Sequence, residues 1–472
     1  MADIHFGTDG WRAIIGEEFT DDNLVRVIDA SARVFKEDAV AAGRSLDNPG
    51  TLIIGHDCRQ DAHAYAQLAA EVAATHGFDV KLSQDYCPTP TLCWSVAQDP
   101  EAVGGIMLTS SHNPAEYLGV KLRLADGGAA GKDLTDRVEA VLAETPLPTD
   151  ARGVYAEVDL MTPYLDTLKA RVDADAIANA HLRVVVDPLY GAGRGYLAGL
   201  LRDLGVEVCE INNAADPTFD GLHPEPIAPW VNRCMEKVVE LGFDAGFIND
   251  GDADRIGAVD EHGNFVNPHR IITLVTSHLA EDKGLSGRVV STVTASAMLQ
   301  RMCDRLGLEL TSTPVGFKWI YAEMEKGDVM LGGEESGGIG IPDHVMERDG
   351  LLMALLLCET MAERHMTLGQ LVDDMFSKVG SMEFERRGLS ITDEQMENFR
   401  AHVLTEYAPE EVAGKRVVAI DRRDGVKLCL EGDAWLMLRP SGTEPLVRIY
   451  AEAETTDEVQ ALLACGEAAV LA

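Results

Sequence analysis

The sequence predicts an α/β protein: three similar α/β domains with mixed, mainly parallel sheets, followed by a C-terminal α+β domain, arranged around a central cleft. Three observations carry this reading. A strand–turn–helix–strand pattern occurs three times. Each occurrence is followed by a further apolar strand that ends in an unusual polar loop. After about Gly380 the pattern gives way to closely spaced strands. At ~100–150 residues per domain, a chain of 472 residues suits three or four domains.

The first unit begins with the apolar run Thr51–Gly55, turns through Asp57 and Arg59, and continues as a helix near Ala62–His76 and a strand at Val80–Leu82. The second comprises Leu182–Val186, a turn from Asp187 to Gly195, a helix at Tyr196–Leu204 and a strand at Val206–Ile211. The third runs through Arg288–Val290, a turn near Thr292–Ser296, a helix to Leu306 and a strand at Leu308–Leu310. Each is a β-α-β unit, the element from which parallel sheets are built. The strand after the first unit leads to Thr109–Pro114. Ala245–Ile248 leads to Asp250–Arg255, and Val329–Leu331 to Gly332–Gly338. Ligands of open α/β sheets gather at such strand ends. Beyond Gly380, strands at Glu385–Ile391, Arg416–Ile420, Gly425–Leu430, Trp435–Leu438 and Arg448–Ala453 alternate with helices at Asp393–Tyr407 and Glu458–Val470. Short connections there predict antiparallel pairing. Linkers are expected near Thr145–Thr149, Asp260–Asn264 and Phe376–Ser381, which divides the chain into 1–150, 151–260, 261–378 and 379–472.

Composition narrows the function classes. Apolar residues form 46% of the chain, enough for several cores. No apolar run reaches the ~18 residues of a membrane span. The nearest, Gly350–Cys358, reads as a buried helix, and the acidic N-terminus does not read as a signal peptide. The nine cysteines are scattered without a C-x-x-C pair, as expected of reduced core thiols in a cytoplasmic protein without a zinc site. Acidic residues number 78 against 40 basic ones, a net charge of −38 that argues against nucleic-acid or anionic-membrane partners. An anionic substrate would therefore need local clusters of Arg and Lys.

The loops supply the chemistry. Thr109-Ser110-Ser111-His112-Asn113-Pro114 holds a serine beside an imidazole at a strand end, which suits a nucleophile or phosphate carrier. A turn whose hydroxyls bond local backbone is the plainer alternative. Asp250-Gly251-Asp252-Ala253-Asp254-Arg255 offers three carboxylates at alternate positions, hard oxygen donors suited to Mg²⁺. A calcium EF-hand is rejected because Arg255 stands where its turn requires glycine and the flanks read as strands. Gly332–Gly338 combines flexible backbone with Glu334, Glu335 and Ser336, groups that can accept hydrogen bonds from sugar hydroxyls. Arg439-Pro440-Ser441-Gly442-Thr443-Glu444-Pro445, with Arg448 following, offers donors for a phosphate. A competing signal is Gly193-Arg194-Gly195-Tyr196-Leu197-Ala198, which matches a dinucleotide fingerprint and keeps an NAD-dependent dehydrogenase as an alternative. Arg194 within the turn weakens that match, and close strand–helix packing is the preferred reading of its glycines.

Taken together with Phe6-Gly7-Thr8-Asp9-Gly10-Trp11-Arg12, the loops TSSHNP, DGDADR, GEESGG and RPSGTEP occur in one order along the chain, and the chain resembles the α-D-phosphohexomutase family along nearly its whole length. That family includes phosphoglucomutases, phosphomannomutases and phosphoglucosamine mutases. The resemblance implies a phosphoserine at Ser111, with His112, Lys121 and Arg12 in catalysis. It implies Mg²⁺ bridging Ser111 to Asp250, Asp252 and Asp254. Substrate contacts would come from Arg255, Lys318, Glu334, Ser336, Arg439, Ser441, Gly442, Thr443 and Arg448. The implied reaction interconverts hexose 1- and 6-phosphates, with glucose the favoured sugar, glucose 1,6-bisphosphate as intermediate and activator, and a monomer or homodimer as the acting species. Two positions depart from the family: Gly338 where many relatives carry His, and Gly442 where many carry Asn. A metal-dependent phosphatase using the same aspartates is a further alternative.

Overall fold

The structure, a computed structural model, describes residues 4–7, 9–144, 152–441 and 445–471. Four sheets follow one another along the chain. The first contains β1 (Trp11–Ile14), β2 (Thr51–His56), β3 (Asp79–Ser83), β4 (Ala102–Leu108), β5 (Tyr117–Leu124) and β6 (Ala156–Val158), in the order β1-β5-β4-β2-β3-β6. The second contains β7 (Arg183–Asp187), β8 (Glu207–Glu210), β9 (Ala245–Asn249), β10 (Ile256–Asp260) and β11 (Phe265–Val266), in the order β11-β10-β9-β7-β8. The third contains β12 (Arg288–Thr292), β13 (Leu310–Thr313), β14 (Val329–Gly333) and β15 (Ile339–Gly340), in the order β13-β12-β14-β15.

The repeat seen in sequence is a repeat of topology. In each sheet a first strand pairs in parallel with two neighbours, and the strand after the last of these returns antiparallel beside it: β3-β2-β4-β5, β8-β7-β9-β10 and β13-β12-β14-β15. The polar loops occupy one equivalent place, the turn between β4 and β5, between β9 and β10, and between β14 and β15. The fourth sheet is wholly antiparallel: β16 (Glu383–Ser390), β17 (Glu411–Val412), β18 (Lys415–Asp421), β19 (Val426–Leu430), β20 (Trp435–Pro440) and β21 (Leu446–Ala453) lie in the order β16-β21-β20-β19-β18-β17.

Burial on both faces explains the continuous apolar strands. In β2, Leu52 and Ile54 enter a core with the helices Asp21–Ala41 and Ala62–Ala74, while Ile53 enters a second core with Leu92 and Val96 of the helix Thr89–Gln98. The apolar run at Gly350 is a buried helix, Gly350–Arg364, begun by Asp349, whose side chain accepts the Leu352 N–H at 2.9 Å. Among the described residues no helix is long and apolar enough to cross a membrane.

Three local expectations are corrected. The strand expected at Leu308–Leu310 begins only at Leu310, because Leu308 belongs to the preceding helix cap: its N–H bonds Cys303 O at 2.9 Å, after Gly307 at φ 70°. Asp260–Asn264 is not a linker but the turn of the β10–β11 hairpin, closed by Asp260 accepting from the Asn264 N–H at 2.8 Å. The segment from Phe376 stays helical to Val379. The expected linker at Thr145–Thr149 lies outside the described residues.

Candidate active site

The serine loop is fixed from behind. Arg59, fully buried, bonds Asp57 through Nε at 3.0 Å and reaches four carbonyls: Pro114 O at 2.6 Å, Tyr117 O at 2.8 Å, and Ser111 O and Asn113 O at 2.7 Å each. Thr109 Oγ1 donates to Asp57 and accepts the Ser111 N–H. These bonds hold Ser111 at φ 50°, a left-handed conformation uncommon for serine. The result places Ser111 Oγ 3.2 Å from Asp250 Oδ2 and 3.2 Å from His112 Nδ1.

The aspartate loop comes this close only because Gly251 lacks a side chain; a Cβ there would sit 2.3 Å from Ser111 O. In the dinucleotide-like turn Gly193 faces the aspartate loop, while Gly195 has nothing within 4 Å of a Cβ position and instead adopts φ 77°; Gly191, just before the turn, makes the closest approach. A Cβ at Gly191 would lie 2.6 Å from Gly251 O, and one at Gly193 would lie 3.3 Å from Ala253 Cβ. The fingerprint acid, Glu210, accepts the Gly195 N–H at 2.6 Å and so occupies the helix start that a pyrophosphate would need.

Asp250, Asp252 and Asp254 are completely buried and present ligand atoms within 4.8 Å of one another. Among the described residues, Oδ1 of Asp252 and Oδ1 of Asp254 have no hydrogen-bond partner. Buried carboxylate oxygens are seldom left so, and the set fits a hard divalent cation such as Mg²⁺. Burial first, then Asp254 and Asp252, push Asp250 up; burial opposes the charge of Asp252 as well, but Lys121 and Thr89 hold it below the usual carboxylate range.

Positive groups surround this core. Lys121 Nζ lies 2.8 Å from Asp252, 3.0 Å from Asp9 and 3.4 Å from Asp254. Burial disfavours its charge, yet Asp252, Asp9 and Asp254 raise it, so the ammonium keeps its proton. Burial, Arg255 and Arg12 hold the His112 imidazole well below its ordinary value, hence neutral. Arg255 Nε stands 3.9 Å from both Asp250 and Asp254, and Arg12 donates to Asn113 of the serine loop.

The third loop joins through Arg348, which sequence reasoning missed. Its guanidinium lies 2.8 Å from Asp254, 2.9 Å from Asp9 and 3.8 Å from Glu334. A Cβ at Gly338 would meet Arg348 Cδ at 2.3 Å, so the glycine found where relatives carry His makes room for this arginine. Glu334 accepts the Gly316 N–H at 3.1 Å and, buried, has its carboxyl raised to about 7. Ser336 is half-buried in the same loop, and Lys318 Nζ lies 5.3 Å from the exposed Trp319 ring.

The C-terminal domain reaches the site along two routes. Arg439 bonds Asp424 at 2.8 Å, and Asp424 accepts the Val315 N–H, also at 2.8 Å, beside Gly316. Arg386 lies 3.4 Å from Glu225, whose same oxygen lies 3.4 Å from Arg255. Arg439 and Arg448 are cross-strand partners and Ser441 is buried beside them; Gly442 and Thr443 lie outside the described residues. Asp9, Arg59, Glu225 and Arg348 carried no role in the sequence reading. The one available signal was Asp349-Gly350, a helix start that places Arg348 directly before a buried helix.

Comparison with known proteins identifies the family. Models of phosphoglucomutase/phosphomannomutase alpha/beta/alpha domains I, II and III match residues 3–147, 162–263 and 267–379, and the model of the C-terminal domain matches 397–464. A phosphoglucomutase/phosphomannomutase of Thermococcus kodakarensis is 31% identical over 98% of this chain and 97% of its own. A phosphoglucosamine mutase of Frankia alni is 30% identical over 98% of each chain. A solved protein of Thermus thermophilus, provisionally described as a phosphomannomutase, superposes with a TM-score of 0.87 at 35% identity, over 99% of each chain. The chain belongs to the phosphoglucomutase/phosphomannomutase family, the α-D-phosphohexomutases, and is a phosphohexomutase.

Proposed function

We propose that this phosphohexomutase interconverts glucose 1-phosphate and glucose 6-phosphate through a phosphorylated Ser111, with glucose 1,6-bisphosphate as the intermediate. The observation that carries the reading is the approach of Ser111 Oγ to Asp250 at 3.2 Å, within a buried set of three aspartates. A divalent ion such as Mg²⁺, held by Asp250, Asp252 and Asp254, would supply Lewis-acid charge beside the transferring phosphoryl group.

The side chains divide the remaining work. A sugar hydroxyl attacks the phosphorus, the bond from phosphorus to Ser111 Oγ breaks, and the electron pair stays on Oγ. Arg12 and Arg255 spread the charge of the transferring oxygens. Lys121, held protonated, can donate to Ser111 Oγ as it leaves and take up in its place the proton that the attacking sugar hydroxyl loses, so that the step is balanced. Neutral His112, 3.2 Å from Ser111 Oγ, can accept the serine proton when the other phosphate of the bisphosphate returns. Glu334 and Ser336 would read the sugar hydroxyls, with Lys318 facing the substrate. Arg439, Ser441, Gly442, Thr443 and Arg448 would grip the phosphate that is not reacting. Nine free cysteines suit action in the reducing cytoplasm.

The test is a coupled assay with glucose, mannose and glucosamine 1-phosphates in parallel. The highest kcat/KM is expected with glucose 1-phosphate. A larger value with either other sugar assigns the protein to that substrate, and release of inorganic phosphate in place of isomer would refute mutase action.

A further inference from the structure

One buried hydroxyl beside the candidate phosphate site takes part in none of these roles. On the C-terminal sheet the register sets Arg386 and Met437 on either side of Tyr450, and Arg439 opposite Arg448. Side chains alternate along strands, so Arg386, Arg439, Arg448 and Tyr450 share one face. That face is turned onto the rest of the molecule. Trp435, Met437 and Tyr450 pack on Val293, and Glu452 accepts the Ala297 N–H at 2.9 Å. Arg386 reaches Glu225 in the second domain at 3.4 Å.

Tyr450 is 0% exposed, and its hydroxyl has no hydrogen-bond partner among the described residues. Buried hydroxyls are rarely left so, because water lost without a replacing bond weakens the fold. The neighbouring Arg439 and Arg448 stand directly across two strands; Arg439 is paired with Asp424 at 2.8 Å, whereas among the described residues Arg448 has no carboxylate partner. An orphan donor and an arginine without a counter-charge on one face have a common remedy, a phosphate.

We propose that Tyr450 is a further substrate-binding residue, its hydroxyl donating a hydrogen bond to an oxygen of the non-transferring phosphate of the sugar phosphate. Burial and the nearby Glu335 raise the phenol above its ordinary value, which keeps it a donor. The proposal rests on the mutase reading only in naming a sugar phosphate as ligand.

The test is Y450F, which removes one oxygen. In a Ser111→Ala background, where no turnover competes, calorimetry with glucose 1-phosphate should show affinity lowered about tenfold, the effect of one hydrogen bond to a charged group. In the otherwise native enzyme KM should rise by a similar factor while kcat stays within about twofold. The melting temperature of the ligand-free protein should stay level or rise, since an unpaired buried hydroxyl is lost. Unchanged affinity would overturn the proposal. So would a lower ligand-free melting temperature, which would mean that the hydroxyl bonds the protein itself. Failure of the mutase reading is separately visible, as absence of turnover in the wild type.

Discussion

Replacing Gly251 by alanine perturbs the contact on which the proposed phosphoryl transfer depends. The added Cβ would sit 2.3 Å from Ser111 O and 3.3 Å from Pro224 Cγ, so it is confined on both sides. Ser111 O cannot yield easily, because Arg59 holds it at 2.7 Å, and Gly251 is tied to Pro224 O at 3.1 Å and to the Ala192 N–H at 2.9 Å. Relief to an ordinary carbon–oxygen separation requires the serine and aspartate loops to part by about 1 Å. A displacement of that size near a reacting centre lowers turnover by ~100-fold, or about 2.7 kcal/mol of barrier. The expected result is kcat reduced by about that factor, with weakened Mg²⁺ dependence and a melting temperature only modestly lower. Gly199→Ala is the control: nothing lies within 4 Å of its Cβ, and in the helix Tyr196–Asp203 it should leave kcat unchanged and stabilise by up to about 1 kcal/mol. Turnover of G251A within twofold of wild type would refute the argument that this close approach positions Ser111.

Other perturbations test neighbouring links. Arg59→Lys keeps the charge but cannot span Asp57 and four carbonyls, so it should cost about 2–4 kcal/mol in urea unfolding and lower kcat at least tenfold; unchanged values would remove Arg59 as the anchor of the serine loop. Glu334, raised from 4.5 to about 7, binds its proton more firmly in the folded protein, so its contribution is fully present below 4.5 and is lost as pH rises through 7. The stability of wild type relative to Glu334→Gln should therefore fall across that interval, and a pH-independent difference in thermal unfolding would contradict the assignment. Chelation of divalent ions should abolish turnover and Mg²⁺ should restore it, whereas full activity in excess chelator would exclude the aspartate set as a metal site.

The division of the chain into repeating α/β units and a distinct last domain was legible because it rests on local pattern: apolar strands, turns and helices of ordinary length. The serine loop, the aspartate loop and Gly332–Gly338 stood out in the sequence because each concentrates unusual residues within a few positions. What escaped sequence reading acts over long separations. Arg348 meets Asp9 from 339 positions away, and Glu225 meets Arg386 across 161. A lone Arg or Glu carries no mark of a partner so distant. Leu308 was misread as strand because a helix cap with a hydrophobic second residue looks apolar in sequence. The β10–β11 hairpin looked like a linker because polar turn residues also punctuate domains. Gly338 shows the reverse case: its departure from the family pattern was visible, but its cause, the side chain of Arg348, was not.

The most direct measurement is to follow label from glucose 1-phosphate carrying ³²P through the enzyme and map the labelled peptide. Transfer through Ser111 predicts label on the peptide containing that serine, chased by unlabelled glucose 1-phosphate into a sugar bisphosphate, and none in Ser111→Ala. Label on another residue, or its appearance only as inorganic phosphate, would contradict it.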